Sequence, residues 1–204
     1  MIDDQLRARG IRDERVLAAM AKVPREEFVA PEDAAFAYGD FPLPIGAGQT
    51  ISQPYIVAAM VEALGVQPAD KLLEVGTGTG YEAAILAELA AEVWTIERHA
   101  ELAQKAAAIL ARLGYQNVHI IQGDGSLGLP EHAPFDKILV AAAAPRIPDA
   151  LIAQLADGGR LVIPVGTRLE QQVQAIRKIG SEIKITGHDP CRFVPLVGQA
   201  GCEP

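Results

Sequence analysis

Leu72-Leu73-Glu74-Val75-Gly76-Thr77-Gly78-Thr79-Gly80-Tyr81 is a short apolar run that breaks into three alternating glycines. The run reads as a buried strand. Glycines at that spacing let the backbone turn sharply and let a ligand come close to the main chain. A tight strand-to-helix turn without a ligand is the alternative, although three spaced glycines carry an entropic cost that an idle turn does not need. A helical stretch follows from Tyr81 to Ala90. Further on, the pattern repeats. Apolar strands are expected at Val93–Ile96, Val118–Ile121, Ile138–Val140 and Leu161–Val165. Helices are expected at His99–Leu113, stopped by Gly114, and at Leu151–Leu155, ended at Gly158-Gly159. Strands that are nearly all apolar and alternate with helices predict an α/β fold, a doubly wound and mostly parallel Rossmann-like sheet covered on both faces.

On the amino-terminal side, Val16, Leu17, Met20 and Val23 recur at helical spacing, with Asp13 as the N-cap and Pro24 as the stop. Pro31 to Gln49 reads as an ordered irregular loop pinned to the core by Phe36, Tyr38 and Phe41; its glycines permit a lid. Ser52 and Pro54 then start a helix through Leu64, proline in the first turn and serine as the cap. After Gly166 the rhythm is that of strands: Val173–Ile179, Ile183–Thr186 and Phe193–Val197, read as antiparallel additions at a sheet edge.

Composition narrows the function. Half of the 204 residues are hydrophobic and 22% are charged, which suits a large core and excludes a disordered or collagen-like chain. The net charge of −8 repels phosphate backbones, so nucleic acid is not an expected partner. Cys191 and Cys202 form neither a C-x-x-C pair nor a disulfide framework, as suits a reducing compartment. The amino terminus is charged from its third residue, and the longest apolar stretch, Ile138–Ala144, falls far short of the ~20 residues that span a bilayer. A cytoplasmic protein with no membrane partner is expected.

The acids around the turn bear on the ligand. The dinucleotide fingerprint is G-x-G-x-x-G; here the third glycine comes one residue early. Glu74 precedes the first glycine by two residues, Glu97 ends the second strand 21 residues after Gly76, and Asp124 lies in Gly123-Asp124-Gly125 at the end of the third. Each alone could be a capping or surface carboxylate. Three at the carboxyl ends of strands suit a nucleoside with a positive centre better than one with phosphates, and S-adenosylmethionine is such a ligand.

The run EVGTGTGYEAAILAELA, with GDG downstream, resembles the class I S-adenosylmethionine-dependent methyltransferases. GQTISQP, ILVAAAAPRIPDALIAQLADGGRLVIPVG and the terminal RFVPLVG narrow the resemblance to the protein-L-isoaspartate (D-aspartate) O-methyltransferase family, across nearly the whole chain. The resemblance implies one methyltransferase domain over residues 1–204: a helical extension and substrate loop (1–53), a cofactor-binding core (54–166) and carboxyl-terminal strands (167–204). It implies Ser52 as the active-site and substrate-binding hydroxyl, with Thr50 and Ile51 beside it among the cofactor-binding residues. Gly76, Thr77, Gly78 and Gly80 would pass under the methionine moiety, near Glu74. Glu97 would hold the ribose, Arg98 and His99 would lie near the adenine, and Asp124 and Gly125 would meet its edge. Phe193 to Val197 would close over cofactor and peptide, with Ala142 and Val194 touching the peptide. No metal is implied, and the partner is an isoaspartyl-containing protein or peptide met by a monomer. Two departures stand out: four alanines precede Pro145, and the chain ends soon after RFVPLVG.

The implied reaction transfers a methyl group to the free α-carboxylate of an L-isoaspartyl, and possibly a D-aspartyl, residue, giving an ester that collapses to a succinimide. With a pKa of roughly 3.5 to 4, that carboxylate is ionised near neutrality and needs no general base. This accounts for the scattered positions of His119, His132 and His188. Ser52 could donate to the carboxylate, cap the helix that begins at Pro54, or both. Another small-substrate methyltransferase and a NAD-binding Rossmann oxidoreductase are the rival enzymes. The oxidoreductase would need a later third glycine and a Tyr/Lys-type proton donor, where Ala141–Pro145 stand instead. A nucleic-acid methyltransferase would carry an Asn/Asp-Pro-Pro-Tyr motif, which is missing. A non-catalytic binding module would be favoured by loss of Ser52 or the glycines, and all are present.

Overall fold

The computed structural model describes residues 1–203. In chain order, α1 (Glu14–Lys22) precedes a hairpin of β1 (Leu43–Gly46) and β2 (Gln49–Ile51). Then come α2 (Pro54–Leu64), β3 (Lys71–Val75), α3 (Tyr81–Ala87), β4 (Glu92–Glu97), α4 (Ala100–Arg112) and β5 (Val118–Gln122). β6 (Phe135–Val140), α5 (Asp149–Ala153), β7 (Leu155–Gly166), β8 (Gln171–Ile179) and β9 (Glu182–Cys191) complete the set. Strands β3 to β9 form one sheet in the order β5-β4-β3-β6-β7-β8-β9. The β5 to β7 part is parallel, and β8 and β9 are antiparallel additions.

The alternation of apolar side chains along the strands divides the core in two. Leu72, Leu139 and Val162 pack with α1, α2 and α3 on one face. Leu73, Val75, Ile138, Val140, Leu161 and Ile163 pack with Leu151 of α5 and with Phe135 on the other. Because the side-chain period is two, each central strand must be apolar throughout to serve both layers. Asp13 caps α1 as expected, its carboxylate accepting from the Arg15 amide at 2.8 Å.

Four local expectations are corrected. Phe36, Tyr38 and Phe41 do not pin the 31–49 segment, being 57%, 41% and 44% exposed. The segment contains a 3-10 helix at Pro31–Phe36 and the β1–β2 hairpin. Arg25 and Phe28 anchor the region instead. Arg25 is fully buried, donates to the carbonyls of Ala37 and Ser52 at 2.7 Å each, and lies over the Tyr81 ring. Phe28 packs edge-on against the same ring at 5.6 Å. A buried arginine is rare enough that composition reads it as surface.

Ser52 does not cap α2. The N-cap is Gln53, and Asp40, distant in sequence, accepts from the Tyr55 amide at 3.0 Å. That frees the Ser52 hydroxyl from helix duty. Gly158-Gly159 do not end a helix but lie inside β7, within the register shift against β6 between Leu155 and Arg160. Phe193–Val197 is not a strand. The segment runs parallel beside the residues that follow β6 and makes a single bridge there, in which Ala143 donates to the Val194 carbonyl and accepts from the Leu196 amide, each at 2.8 Å. Pro195 between them has no N–H for a longer ladder.

The anchoring role of Arg25 has a measurable consequence. Arg25→Ala orphans two buried carbonyls and is expected to cost about 2–5 kcal/mol in urea unfolding, whereas Phe36→Ser changes stability by less than about 0.5 kcal/mol.

Candidate active site

The strand order reverses beside β3: the chain moves outward to β4 and β5, then returns to β6 on the other side of β3. Loops leaving the carboxyl ends of β3 and β6 therefore part in opposite directions, opening a crevice. A cavity of about 850 Å³, open in part to solvent, occupies it. Its floor is the glycine turn, one wall is the end of β4, and Ile45 and Gln49 to Ser52 of the hairpin close it from above.

The turn is built by glycines in the left-handed region, Gly76 at φ 101°, Gly78 at 54° and Gly80 at 88°. At Gly78 a Cβ would come within 3.3 Å of the Ile45 side chain, so the missing side chain lets the hairpin lie on the turn. At Gly80 a Cβ would meet Leu110 and Ala106 of α4 at 3.1 and 3.3 Å. Gly80 thus serves helix packing and does not line the cavity.

Glu97 is the carboxylate that joins the walls. One oxygen accepts from the Gly78 amide and the other from the His99 amide, both at 2.9 Å. A carboxylate has about four acceptor positions, so two lone pairs remain for a ligand. Glu97, Arg98 and His99 line the cavity together, with Gly125 from the β5 loop, Ala141 and Ala142 from the β6 loop, and Val194 to Val197 from the segment bridged to that loop.

Two of the three expected acids lie elsewhere. Glu74 is fully buried in β3, away from the lining. It accepts from the Thr95 hydroxyl, which pairs with the Thr77 hydroxyl at 2.6 Å, so it braces the turn from beneath. Burial, reinforced by the charges of Glu82 and Glu97, pushes its carboxyl well above the usual range. Asp124 also lies outside the lining. It accepts from the Ser126 amide and hydroxyl at 2.9 and 2.7 Å and from the Gln199 amide at 2.7 Å, tying the tail to the β5 loop. Burial acts to raise its carboxyl, but these donors outweigh it and hold the group below the usual range. An acid in a G-D-G turn reads the same whether it meets a ligand or its own chain, so sequence cannot separate the two.

A second, larger cavity of about 1,720 Å³ of open space adjoins the first as a groove. Thr50, Ser52, Ala141 and Val194 line both. Ser52 therefore stands on the shared wall. Phe193 belongs to the groove and Ala142 to the inner cavity, so the two residues expected to act with Val194 fall on different sides. The groove is braced by Arg9, whose guanidinium lies 3.4 Å from the Tyr55 ring centre and pairs with Asp40, and by the Tyr55 hydroxyl, which donates to Asp189 at 3.0 Å.

A family model described as protein-L-isoaspartate(D-aspartate) O-methyltransferase matches residues 1–201. The chain belongs to this family. A protein-L-isoaspartate O-methyltransferase of Koribacter versatilis (strain Ellin345) is 62% identical over 204 residues, 100% of this chain and 92% of that one. One of Methanoregula boonei is 55% identical over 203 residues, 100% of this chain and 94% of its own. Among solved structures, a chain described as a Plasmodium falciparum protein-L-isoaspartate O-methyltransferase in complex with S-adenosyl-L-homocysteine superposes with a TM-score of 0.82, at 26% identity over 95% of each chain.

Within this methyltransferase frame the cavity-lining residues that sequence did not assign include Ile45, Gln49, Thr79, Tyr81 and Glu82. Tyr81 and Glu82 follow the last glycine, and Glu82 is the one acid in the otherwise apolar Tyr81-Glu82-Ala83-Ala84-Ile85-Leu86-Ala87. A charge on a helix with no polar face was the available signal. Burial pushes the Tyr81 phenol up to about 12.

The Asp124 clasp is testable through pH. Its folded carboxyl lies below the unfolded value, so its stabilisation is present above about pH 4 and is lost as pH falls through the folded value. Asp124→Ala should flatten the fall in urea midpoint on the acid side of pH 4 and speed amide exchange at Gln199.

Proposed function

We propose that the inner cavity holds S-adenosylmethionine, the groove holds an isoaspartyl peptide, and the two meet at Ser52. As a member of the protein-L-isoaspartate O-methyltransferase family, the chain is a carboxyl methyltransferase acting in protein repair. The observation that carries the reading is the wall shared by the two cavities, which bears the Thr50 hydroxyl and the Ser52 hydroxyl, the latter not employed as a helix cap. A donor in one cavity and an acceptor in the other can approach only across that wall.

The cavity's donors and acceptors fit the cofactor. The two unspent lone pairs of Glu97 match the ribose hydroxyls, the open backbone of the Gly76-Thr77-Gly78 turn gives room for the amino-acid arm, and Arg98, His99 and Gly125 flank the space for the base. Thr50, Ile51 and Val197 exclude water around it. Gly80, Glu74 and Asp124 act from behind, by holding the turn and the tail. Phe193 and Val194 hold the peptide in the groove, and Ala142 borders the cofactor.

Bound there, S-adenosylmethionine supplies an electrophilic methyl carbon on a positively charged sulfur. The α-carboxylate of the isoaspartyl residue is ionised near neutrality, so the chain has no proton to remove. Ser52 donates to one carboxylate oxygen and turns the other toward the methyl carbon. With the cofactor bound, that oxygen would form the new C–O bond as the C–S bond broke, the electron pair staying on sulfur. Placement of this kind contributes on the order of 7–11 kcal/mol. The ester closes to a succinimide as the next backbone nitrogen attacks its carbonyl carbon, the C–O bond to the methoxy group breaks and methanol leaves with the amide proton; ring hydrolysis returns some normal aspartate. A monomer suffices, since both cavities are lined by one chain. Two unpaired cysteines support a cytoplasmic setting.

Transfer of a labelled methyl group to a synthetic isoaspartyl peptide, with its aspartyl twin as control, tests the reading; a base-labile label is expected on the first alone. Ser52→Ala should lower kcat by about 10- to 100-fold and leave S-adenosylhomocysteine binding nearly unchanged, whereas the reverse pattern would assign Ser52 to the cofactor.

A further inference from the structure

The acceptor in the proposed transfer is an anion, and the chain that must take it up carries a net charge of −8. The ionisable side chains divide unevenly between the two cavities. The inner one is lined by Glu82, Glu97 and a single arginine, Arg98, which suits a cationic donor. The groove is lined by Arg9, Arg192 and Asp189. Arg9 pairs with Asp40, and Asp189, bonded to the Tyr55 hydroxyl, offsets Arg192 in number. The charges on the groove surface therefore cancel, and an anion gains nothing from their sum.

A further cation lies behind the wall that the cavities share. Arg25 is fully buried, and its Nη2 donates to the carbonyl of Ser52 itself. Its Nε donates to the Ala37 carbonyl, its Nη1 is buried with no acceptor, and its guanidinium carbon lies 4.6 Å from the centre of the Tyr81 ring. None of these partners is a carboxylate. The carboxylate whose charge bears on it is Asp40, already paired with Arg9. Burial lowers the pKa of Arg25, yet a guanidinium keeps its proton near neutrality. A buried charge without a counter-ion is costly, and a neutral donor would hold two carbonyls equally well. The charge itself is what the surroundings leave unspent.

We infer that Arg25 is a specificity-determining cation: from behind the Ser52 backbone it makes the groove positive where the acceptor lies, and so selects an ionised carboxylate over a neutral group. The inference rests on the two-cavity reading above and adds the source of its charge discrimination. Ser52 alone does not supply it, because a hydroxyl donates to a carboxylate and to an amide carbonyl alike. Arg25 does not touch the acceptor. It acts through a poorly screened interior, where a unit charge about one residue away changes binding roughly tenfold. Methyl transfer removes the carboxylate's charge, so the attraction is strongest before reaction and is gone in the ester. It therefore acts on the peptide KM and on release of the neutral product more than on kcat.

Peptide binding to the enzyme loaded with S-adenosylhomocysteine, which has no sulfonium charge of its own, separates charge from architecture. An isoaspartyl peptide should bind the wild type about tenfold tighter than a twin with a carboxamide in place of the α-carboxylate. Arg25→Met should bring that ratio below about twofold and Arg25→Lys should keep it at about fivefold or more. Both variants should bind S-adenosylhomocysteine within about threefold of the wild type, which certifies their fold. A purely architectural role would weaken both peptides alike in both variants and leave the ratio near its wild-type value, which overturns the inference. Should the variants not fold, the wild type decides. A ratio set by a buried charge holds within about twofold between about 0.05 and 0.5 M salt, whereas its collapse would trace it to the exposed Arg9 or Arg192 and overturn the assignment. Failure of the isoaspartyl peptide to bind the loaded wild type would instead overturn the reading of the groove.

Discussion

Three left-handed glycines directly after β3 create a problem of hydrogen bonding, because a turn of that shape points its amides away from any regular ladder. The fold answers it locally. The Gly76 amide donates to the Ile96 carbonyl at 2.9 Å, Gly78 to the Glu97 carboxylate and Gly80 to the Thr77 carbonyl at 2.8 Å. The end of β4 is thereby stapled to the end of β3, and Glu97 is fixed by the same bonds. Everything around the cleft leans on this turn. The hairpin rests on Gly78, α4 rests on Gly80, and the cavity exists because the backbone between them carries no side chains.

The distribution of carboxylates is subtler than an acidic rim. Only Glu97 and Glu82 of the acids discussed reach the cavity wall. Glu74 works as a buried brace through Thr95 and Thr77, and Asp124 as a clasp for the tail. The carboxyl groups of the cleft therefore form two layers, one lining the cavity and one behind it. In a site of low polarity the second layer still counts, since charges interact strongly where water is excluded. A ligand with positive charge gains from both layers, and only the inner one needs shape.

The groove depends on chain segments far apart in sequence. Arg9 and Tyr55 stack, Tyr55 reaches Asp189 near the end of β9, and Asp40 both pairs with Arg9 and caps α2. Arg25 holds the Ser52 carbonyl from the core side. Ser52 is thus oriented through its backbone by a buried arginine and by a helix whose cap comes from elsewhere, leaving its hydroxyl for the shared wall.

The parallel sheet, the glycine turn, the helix caps at Asp13 and after α4, and the antiparallel β8 and β9 were all legible in the chain, because each follows from local periodicity or from the backbone freedom of glycine. Glu97 was legible too, since a strand end at that distance from the turn has a defined place. Tertiary structure alone decided which acids line the cavity, that Asp40 rather than Ser52 caps α2, that Arg25 rather than three aromatics anchors the loop, and that Phe193–Val197 lies beside the end of β6 in a single bridge instead of adding an edge strand. Each of these turns on a partner many residues away, and burial or exposure of a polar group is set by that partner, not by its neighbours in the chain.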